Sequence, residues 1–542
     1  MEEYFKVLEL YELMVKILGN YDRRFFNIKI TALMIFCLIL VSQKNYVLSE
    51  SSTSNFSCIR YKITENTTKY FEGYNLYILE RKWADTGIVV DRRILITDMN
   101  ENIVLEKNIS STDEIADIEF YNTTTLIYGD SEAVRLWNID TDTLSILGFG
   151  GHHDIEVNYL NKTFLTLGFY TIEINGSTYI YDLINEYNST GSLLRSFDTR
   201  NYVEPWQTCP YEDLVNASKD ITHANSLCFD EDEKMIYLNC RNTNTFYKID
   251  YETGQKVWGL GEYGDFKLFD IYGKEKDILF YHSHSLEKIG KNKFLLFDND
   301  FHNQTNALNK QSRFLEITID EKKMIANTTW EWISPTDYWT PIWGDCDLLP
   351  NDNRFGVLAY SSDTTDETGP KFVEVNHDGE IVWQSNSTQG DNIYYEIYKV
   401  ERIRFAPFSS EPRLVNDKNE LIAEWNVWYN FKSNTNFTGR CYLYLNNELI
   451  LNNSIVFSKY WQSKTIRYNL GNIEPGNYEI SLILSDKNGH FSNESEFYNG
   501  PYNFRVPNNL VTILAVSLGV GIPVVISCIL IILIHIRRIK LK

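Results

Sequence analysis

The sequence predicts an all-β protein: a six-bladed β-propeller, then an immunoglobulin- or fibronectin-like β-sandwich, then a single C-terminal transmembrane helix. Three observations predict it. Between two apolar ends the chain is rich in Tyr, Phe, Ile and Thr, broken every eight to twelve residues or so by Asn, Asp and Gly, which is a strand-and-turn pattern. One hairpin unit recurs six times. Leu510 to Ile536 carries no acidic or basic residue apart from His535, and at about 1.5 Å per residue it can cross about 30 Å of hydrocarbon.

In chain order, region 1–49 comes first. Arg23, Arg24 and Lys29 precede the apolar run 30–41, the charge-then-apolar order of a signal peptide, and the run is too short to span a bilayer comfortably. Met1–Asp22 is long for the leading part of such a signal, so an uncleaved signal anchor is the alternative.

The propeller is expected over 58–408. Its repeat is an alternating apolar strand, an acidic or Asn-containing turn and a second strand, often ending in Trp. The copies are ILITDMNENIVLEK at Ile94–Lys107, VRLWNIDTDTLSIL at Val134–Leu147, INEYNSTGSLLRSF at Ile184–Phe197, FYKIDYETGQKVWGLG at Phe246–Gly261, FLEITIDEKKMIANTTW at Phe314–Trp330 and FVEVNHDGEIVW at Phe372–Trp383. Single hairpins cannot bury their apolar faces alone, whereas radial stacking of six does so.

Pro407–Pro412 reads as a linker, and 413–506 as a sandwich of short alternating strands. After the apolar run 510–536 comes a basic tail, 537–542, holding Arg537, Arg538, Lys540 and Lys542. By the positive-inside rule the tail is cytoplasmic and everything before the span is outside. The expectation is therefore a single-pass membrane protein with an extracytoplasmic ectodomain. Roughly fourteen N-x-S/T sequons, among them Asn66, Asn122, Asn161, Asn216, Asn303 and Asn386, fit secretion. Cys58, Cys209, Cys228, Cys240, Cys346 and Cys441 lie outside the apolar segments, and their pairing is not readable. A net charge of −22 and a pI near 4.9 oppose a nucleic-acid role, and no G-x-x-x-x-G-K-[ST] phosphate loop is present.

Five of the nine histidines fall at telling positions. His152 and His153 stand in GFGGHHDIEVN, His223 in DITHANSLCF, and His282 with His284 in LFYHSHSLEKIG. His153, His223 and His284 are about one blade apart, and each opens the alternating run after a repeat turn. Side chains at matching points on successive inner strands converge near the axis of a propeller. Arg241, at the end of MIYLNCRNT, adds a fixed cation. Imidazoles with a guanidinium suit an anionic group: a neutral histidine is a nucleophile or base, while a protonated one and Arg bind oxyanions. A metal site is the rival reading, since His282-x-His284 and His152–His153 are ligand-like, but no acidic residue sits at comparable spacing beside each histidine. No metal and no cofactor are expected.

The run DITHANSLCFDEDEKMIYLNCRNTNTFYKIDYETGQKVWGLG, then HSHSLEKIGKNKFLLFDND, then QSRFLEITID, resembles the arylsulfotransferase family, whose members move a sulfuryl group between phenols without a nucleotide donor. The similarity covers about residues 94–385. It implies a six-bladed propeller, with His284 as a transiently sulfurylated nucleophile ahead of Phe297-Asp298-Asn299. It further implies that His223, with Asn225 beside it, and the strand-end Arg241 serve the reaction, and that His152 or His153 supports it. Asn299 and His282 complete the expected substrate-binding set. Several positions depart from the family pattern: Ser283 stands for Gln, Ile221 for Trp, Asn239-Cys240 for paired serines and Asp300 for Gly. His282 is a competing nucleophile, and His302 is either a pocket residue or a loop histidine.

The implied partners are a small aryl sulfate donor and a phenolic acceptor, with the membrane reached through the C-terminal helix; no nucleic acid and no particular protein partner is indicated. Two rival readings stand beside this one. A non-catalytic propeller would act in cell-surface binding or adhesion. A quinone-dependent dehydrogenase is suggested by the ETGQKVW turn, although such propellers have eight blades and the repeats here stop at six.

Overall fold

The structure, a computed structural model, describes residues 60–83, 85–109, 115, 117–209, 219–300, 311–358, 368–388, 393–417, 420–487 and 502–506. These residues are strands joined by turns and short 3-10 turns, with no α-helix among them. The predicted signal run 30–41, the span 510–536, the tail 537–542 and His302 lie outside the described residues. Among the described residues no helix is long and apolar enough to cross a membrane.

Each hairpin read from the sequence is a hairpin here, and its turn chemistry explains why. Asp98, Asn138, Asn188, Asp250, Asp320 and Asn376 each stand at the end of the first strand and accept a backbone N–H two to four residues ahead on Oδ1. That is the Asx turn, in which the side chain replaces a backbone acceptor and reverses the chain. Each hairpin supplies the outer two of the four strands that form the antiparallel body of a separate sheet, and short strands add beyond it in the third, fifth and sixth.

The sheets succeed one another in a propeller-like cycle. The first holds Tyr74–Trp83, Val89–Thr97 and Ile103–Ile109; its inner strand comes from far along the chain, Ile393–Glu396 and Val400–Ile403. The inner strands of the next five are Asp117–Asn122, His152–Asn158, Ala224–Asp230, His284–Gly290 and Asp345–Leu348. Neighbouring inner strands touch in that order, and Asp345–Leu348 touches Val400–Ile403 to complete the cycle. The strand Arg60–Asn66 adds to the outer edge of the sixth sheet. Both ends of this segment thus lock the ring.

Apolar faces are buried between sheets. Tyr237, Phe246 and Trp258 of the fourth pack on Phe266, Phe280, Phe294 and Leu315 of the fifth, and burial of each such side chain contributes about 1.5–3 kcal/mol. The outer-strand tryptophans also reach forward. Trp258 Nε1 donates to Glu321 in the turn of the fifth sheet (3.2 Å), and Trp330 Nε1 to the His377 carbonyl in the turn of the sixth (2.7 Å). Trp383, fully buried, donates to the Met99 carbonyl in the turn of the first sheet (3.2 Å), so this linkage also closes the ring.

Two further four-stranded sheets, built from Phe408 to Val506, pack face to face around Ala423, Trp425, Val427, Leu443, Leu482 and Leu484. Their core is continuous with the first two sheets of the ring: Phe120 stacks on Phe431 at 5.0 Å. The same module closes one end of the central channel. Lys459 Nζ and Tyr460 OH donate to Asp230 (2.8 and 2.9 Å), and Gln462 Nε2 to the Ile289 carbonyl (3.0 Å). Asp230 and Ile289 lie at the ends of inner strands that begin beside the histidines, so the plug sits opposite them.

The channel wall between plug and histidines is acidic. Successive inner strands read Asp117-x-Glu119, Asp154-x-Glu156, Ser226-x-Cys228, Ser285-x-Glu287, Asp345-x-Asp347 and Lys399-x-Glu401, and residues two apart on a strand share a face. Lys399 Nζ lies 3.1 Å from Asp117 and 3.0 Å from Glu119. Lys432, brought by the C-terminal module, reaches Asp347 at 2.6 Å and Glu401 at 3.4 Å and also pairs with Glu287. A cavity of about 70 Å³ lies among these groups, lined by Glu156, Cys228, Glu287, Lys399 and Lys432 but by none of the five histidines. Cys228, Cys240, Cys346 and Cys441 are buried thiols without a disulfide.

Candidate active site

The third, fourth and fifth sheets bring the histidines together through one local device. At the start of each inner strand the register slips: His152 pairs with Leu167 while Ile155 pairs with Thr166, Ala224 with Cys240 while Ser226 pairs with Asn239, and His284 with Phe297 while Glu287 pairs with Leu295. These are β-bulges, which bend a strand and re-aim its side chains. Backbones there turn left-handed, with φ of 63° at His153, 44° at His223 and 49° at Ser285. Such conformations are uncommon for residues with a Cβ and are held by their surroundings.

His284 is fully buried, and its Nδ1 lies 2.7 Å from Asn299 Oδ1. The Asn299 amide cannot turn over, because its Nδ2 donates to the carbonyls of Thr340 and Trp343, both at 2.8 Å. Its oxygen must therefore face His284, and His284 must carry its proton on Nδ1. Nε2 is left with a lone pair. Burial, then the positive charge of Arg241, push the imidazole down to about 3, against the Asn299 bond and the His282 backbone, which favour its protonated form. It is a neutral base at any physiological pH.

His153 stands over the same space. Its ring centroid is 5.1 Å from His223 and 5.9 Å from Tyr398, and Tyr398 is 6.0 Å from His284. Burial, followed by the neighbouring His152, His223, His284 and Arg241, holds His153 well below the usual histidine value. Its Nδ1 lies 2.7 Å from Nδ1 of His152, whose Nε2 is 3.1 Å from Asp182 Oδ1 and whose ring stacks on Phe169 at 4.0 Å. His223 is more open, and its Nδ1 lies 2.6 Å from Asp220 Oδ2. Arg241 opens a 3-10 turn, donates its backbone N–H to the His223 carbonyl (3.2 Å) and anchors its guanidinium on Asn242 Oδ1 (2.8 Å).

Two of the expected binding residues stand behind the site. Asn225 Nδ2 and Asn239 Nδ2 both donate to the Ser283 carbonyl, at 2.8 and 2.7 Å, and are tied to each other at 2.7 Å. They fix the peptide that carries His284, so Asn225 works through the backbone. His282, fully buried, donates its N–H to Asn244 Oδ1 at 2.9 Å and belongs to the same support. Asp220, Asp182 and Tyr398 were not singled out by the sequence. Asp220 had a signal, standing three residues before His223; Asp182 and Tyr398 come from distant strands and had none.

A model of the arylsulfotransferase family matches residues 108–396, more than half of the chain. The chain belongs to the arylsulfotransferase family. His152, His153, His223, Arg241, His284 and Asn299 all fall within the matched region, whereas Tyr398 stands just beyond it. No curated protein matches this arylsulfotransferase relative. Among solved structures it is similar to a Bacteroides caccae protein of unknown function (12% identity, 61% of this chain and 98% of that one, TM-score 0.35). It is also similar to Kuenenia stuttgartiensis hydrazine synthase (10%, 53% and 71%, 0.31) and to a Myceliophteria thermophila β-propeller domain, Cps50 or Swd1 (8%, 62% and 99%, 0.33). At that level they add nothing to the fold traced by the sheets themselves.

Proposed function

We propose that this arylsulfotransferase moves a sulfuryl group from a phenolic sulfate ester to a phenol through a covalent intermediate on His284, and that its ring of sheets is a six-bladed β-propeller followed by an immunoglobulin- or fibronectin-like sandwich. The single observation that carries the chemistry is the Asn299 lock, which leaves His284 Nε2 unprotonated beside a fixed guanidinium. Nε2 attacks sulfur, the aryl oxygen leaves, and the acceptor phenol then takes the group from the histidine, so one difficult step becomes two easier ones. Arg241 stabilises charge on the sulfuryl oxygens, and His223 or His153 gives and later recovers the proton of the phenols. Tyr398, in ring contact with both His153 and His284, supplies an aromatic face for the aryl group. The apolar run 510–536 holds the enzyme to a membrane with the site outside the cytoplasm.

The experiment is mass spectrometry of the purified chain after brief exposure to p-nitrophenyl sulfate without acceptor. A sulfuryl adduct on the peptide holding His284, discharged by added phenol, is the expected result. An adduct on His282, or tight aryl sulfate binding with neither adduct nor phenol release, overturns the reading, the latter in favour of a binding propeller.

A further inference from the structure

Resting on that reading, we propose that Asp182, His152 and His153 form one proton relay, in which His153 exchanges the proton with the phenol oxygen while the charge of the protonated state resides on His152. Two contacts set the three groups in line: Asp182 Oδ1 lies 3.1 Å from His152 Nε2, an ion-pair distance without the alignment of a hydrogen bond, and His152 Nδ1 is hydrogen-bonded to His153 Nδ1 at 2.7 Å. Two nitrogens at that separation share one hydrogen, so one ring donates and the other accepts.

The state of each ring follows. Asp182 is buried and its Oδ2 already accepts from Thr222 Oγ1 and the Ala224 N–H, both at 2.6 Å. Burial alone would push its carboxyl up, but the His152 pairing and these bonds hold it below the usual range, as a carboxylate. An unprotonated Nε2 would set its lone pair against that carboxylate oxygen at 3.1 Å, so His152 carries a proton on Nε2. When His152 is neutral, its Nδ1 is a lone pair and His153 must donate from its own Nδ1, which leaves His153 Nε2 a base. When His152 is a cation, its Nδ1–H donates and His153 becomes the Nε2–H tautomer, an acid that is still neutral. His153 faces Arg241, His223 and His284 with Tyr398 over it, and its burial among those groups makes a charge on its own ring costly. His152 has the Asp182 carboxylate on its far edge instead.

The balance is simple. In the first half-reaction the S–O bond to the aryl group breaks as the S–N bond to His284 Nε2 forms. The phenolate oxygen takes the Nε2 proton of His153, and His153 Nδ1 takes the Nδ1 proton of His152. His152 becomes neutral and keeps its proton toward Asp182. The second half-reaction runs the same transfers backward as the acceptor phenol attacks. Asp182 and His152 are positioning and charge-holding groups; His153 alone meets the substrate.

Two measurements on the full chain in detergent test this. The first is single-turnover phenol release from a series of aryl sulfates running from p-nitrophenyl, whose phenolate leaves unaided, to phenyl, whose phenolate needs a proton. Asp182→Asn and His152→Phe are expected to slow phenyl sulfate by about 10²–10⁴-fold, the usual contribution of a positioned acid, and p-nitrophenyl sulfate much less. An equal loss across the series overturns the relay and leaves the transfer reading standing. The second is ¹⁵N spectroscopy of labelled histidines, which needs no turnover and decides the relay even if no aryl sulfate is a substrate. Protonation of His152 should move the His153 proton from Nδ1 to Nε2 with that ring still neutral. A His153 ring that keeps its Nδ1 proton, or that itself becomes a cation, overturns the proposal.

Discussion

A histidine becomes a useful nucleophile when something else decides where its proton sits, and Asn299 does so for His284 by being unable to rotate. Asn299→Leu should lower kcat/KM by about 10- to 100-fold, by analogy with the loss of a partner that orients a metal-ligating histidine, while His284→Ala should abolish the adduct. With its imidazole pushed down to about 3, His284 stays neutral across the working range. For p-nitrophenyl sulfate, kcat/KM should therefore show no loss from His284 protonation until the pH approaches 3. The same shift has a cost in stability. A histidine whose folded value lies below its unfolded one disfavours the folded state as pH falls from about 6.5 toward 3, because the unfolded chain takes up the proton first. His284→Gln should soften the acid denaturation profile in that window.

Elements that depend on near neighbours in sequence were legible and those that depend on distant ones were not. The outer hairpins are closed by Asx turns such as Asp250 and Asn376, so their sequence alone announces them. The histidines were found because His153, His223 and His284 recur about one blade apart, each opening an alternating run. The bulges were invisible, since a register slip at Ala224–Ser226 is decided by the partner strand. Tyr398 and Asp182 reach the site only through ring closure and sheet packing. The outer tryptophans carry a testable share of that packing. Trp383→Phe keeps an aromatic ring of lesser volume but orphans the Met99 carbonyl, and should cost about 1–3 kcal/mol in chemical denaturation.

For the molecule as a whole, the C-terminal module is structural to the ring and more than a spacer. Lys432 is the cation that this module sets among Glu287, Asp347 and Glu401. Burial, then neighbouring carboxylates, raise Asp347 and Glu401 well above ordinary carboxyls, while those same acids hold Lys432 raised against the effect of burial. Lys432→Met should destabilise the protein by about 3–5 kcal/mol, the penalty for stranding a buried charge. The sign with pH follows from the raised acids: they take up protons as pH falls, so the damage should be larger at pH 8 than at pH 5. The shared core from Leu76 to Leu484 predicts one cooperative unfolding transition for ring and module, which calorimetry can check.

Among the described residues, the plug at Lys459–Gln462 also covers the end of the channel away from the histidines. The spent phenol and the incoming one then share the doorway on the histidine side. Under the proposed reaction both phenols also meet the sulfuryl group at one atom, His284 Nε2, and so take their turns there. Parallel double-reciprocal lines, with the released phenol competing against the donor for the resting enzyme, are what such turn-taking should give in steady-state kinetics.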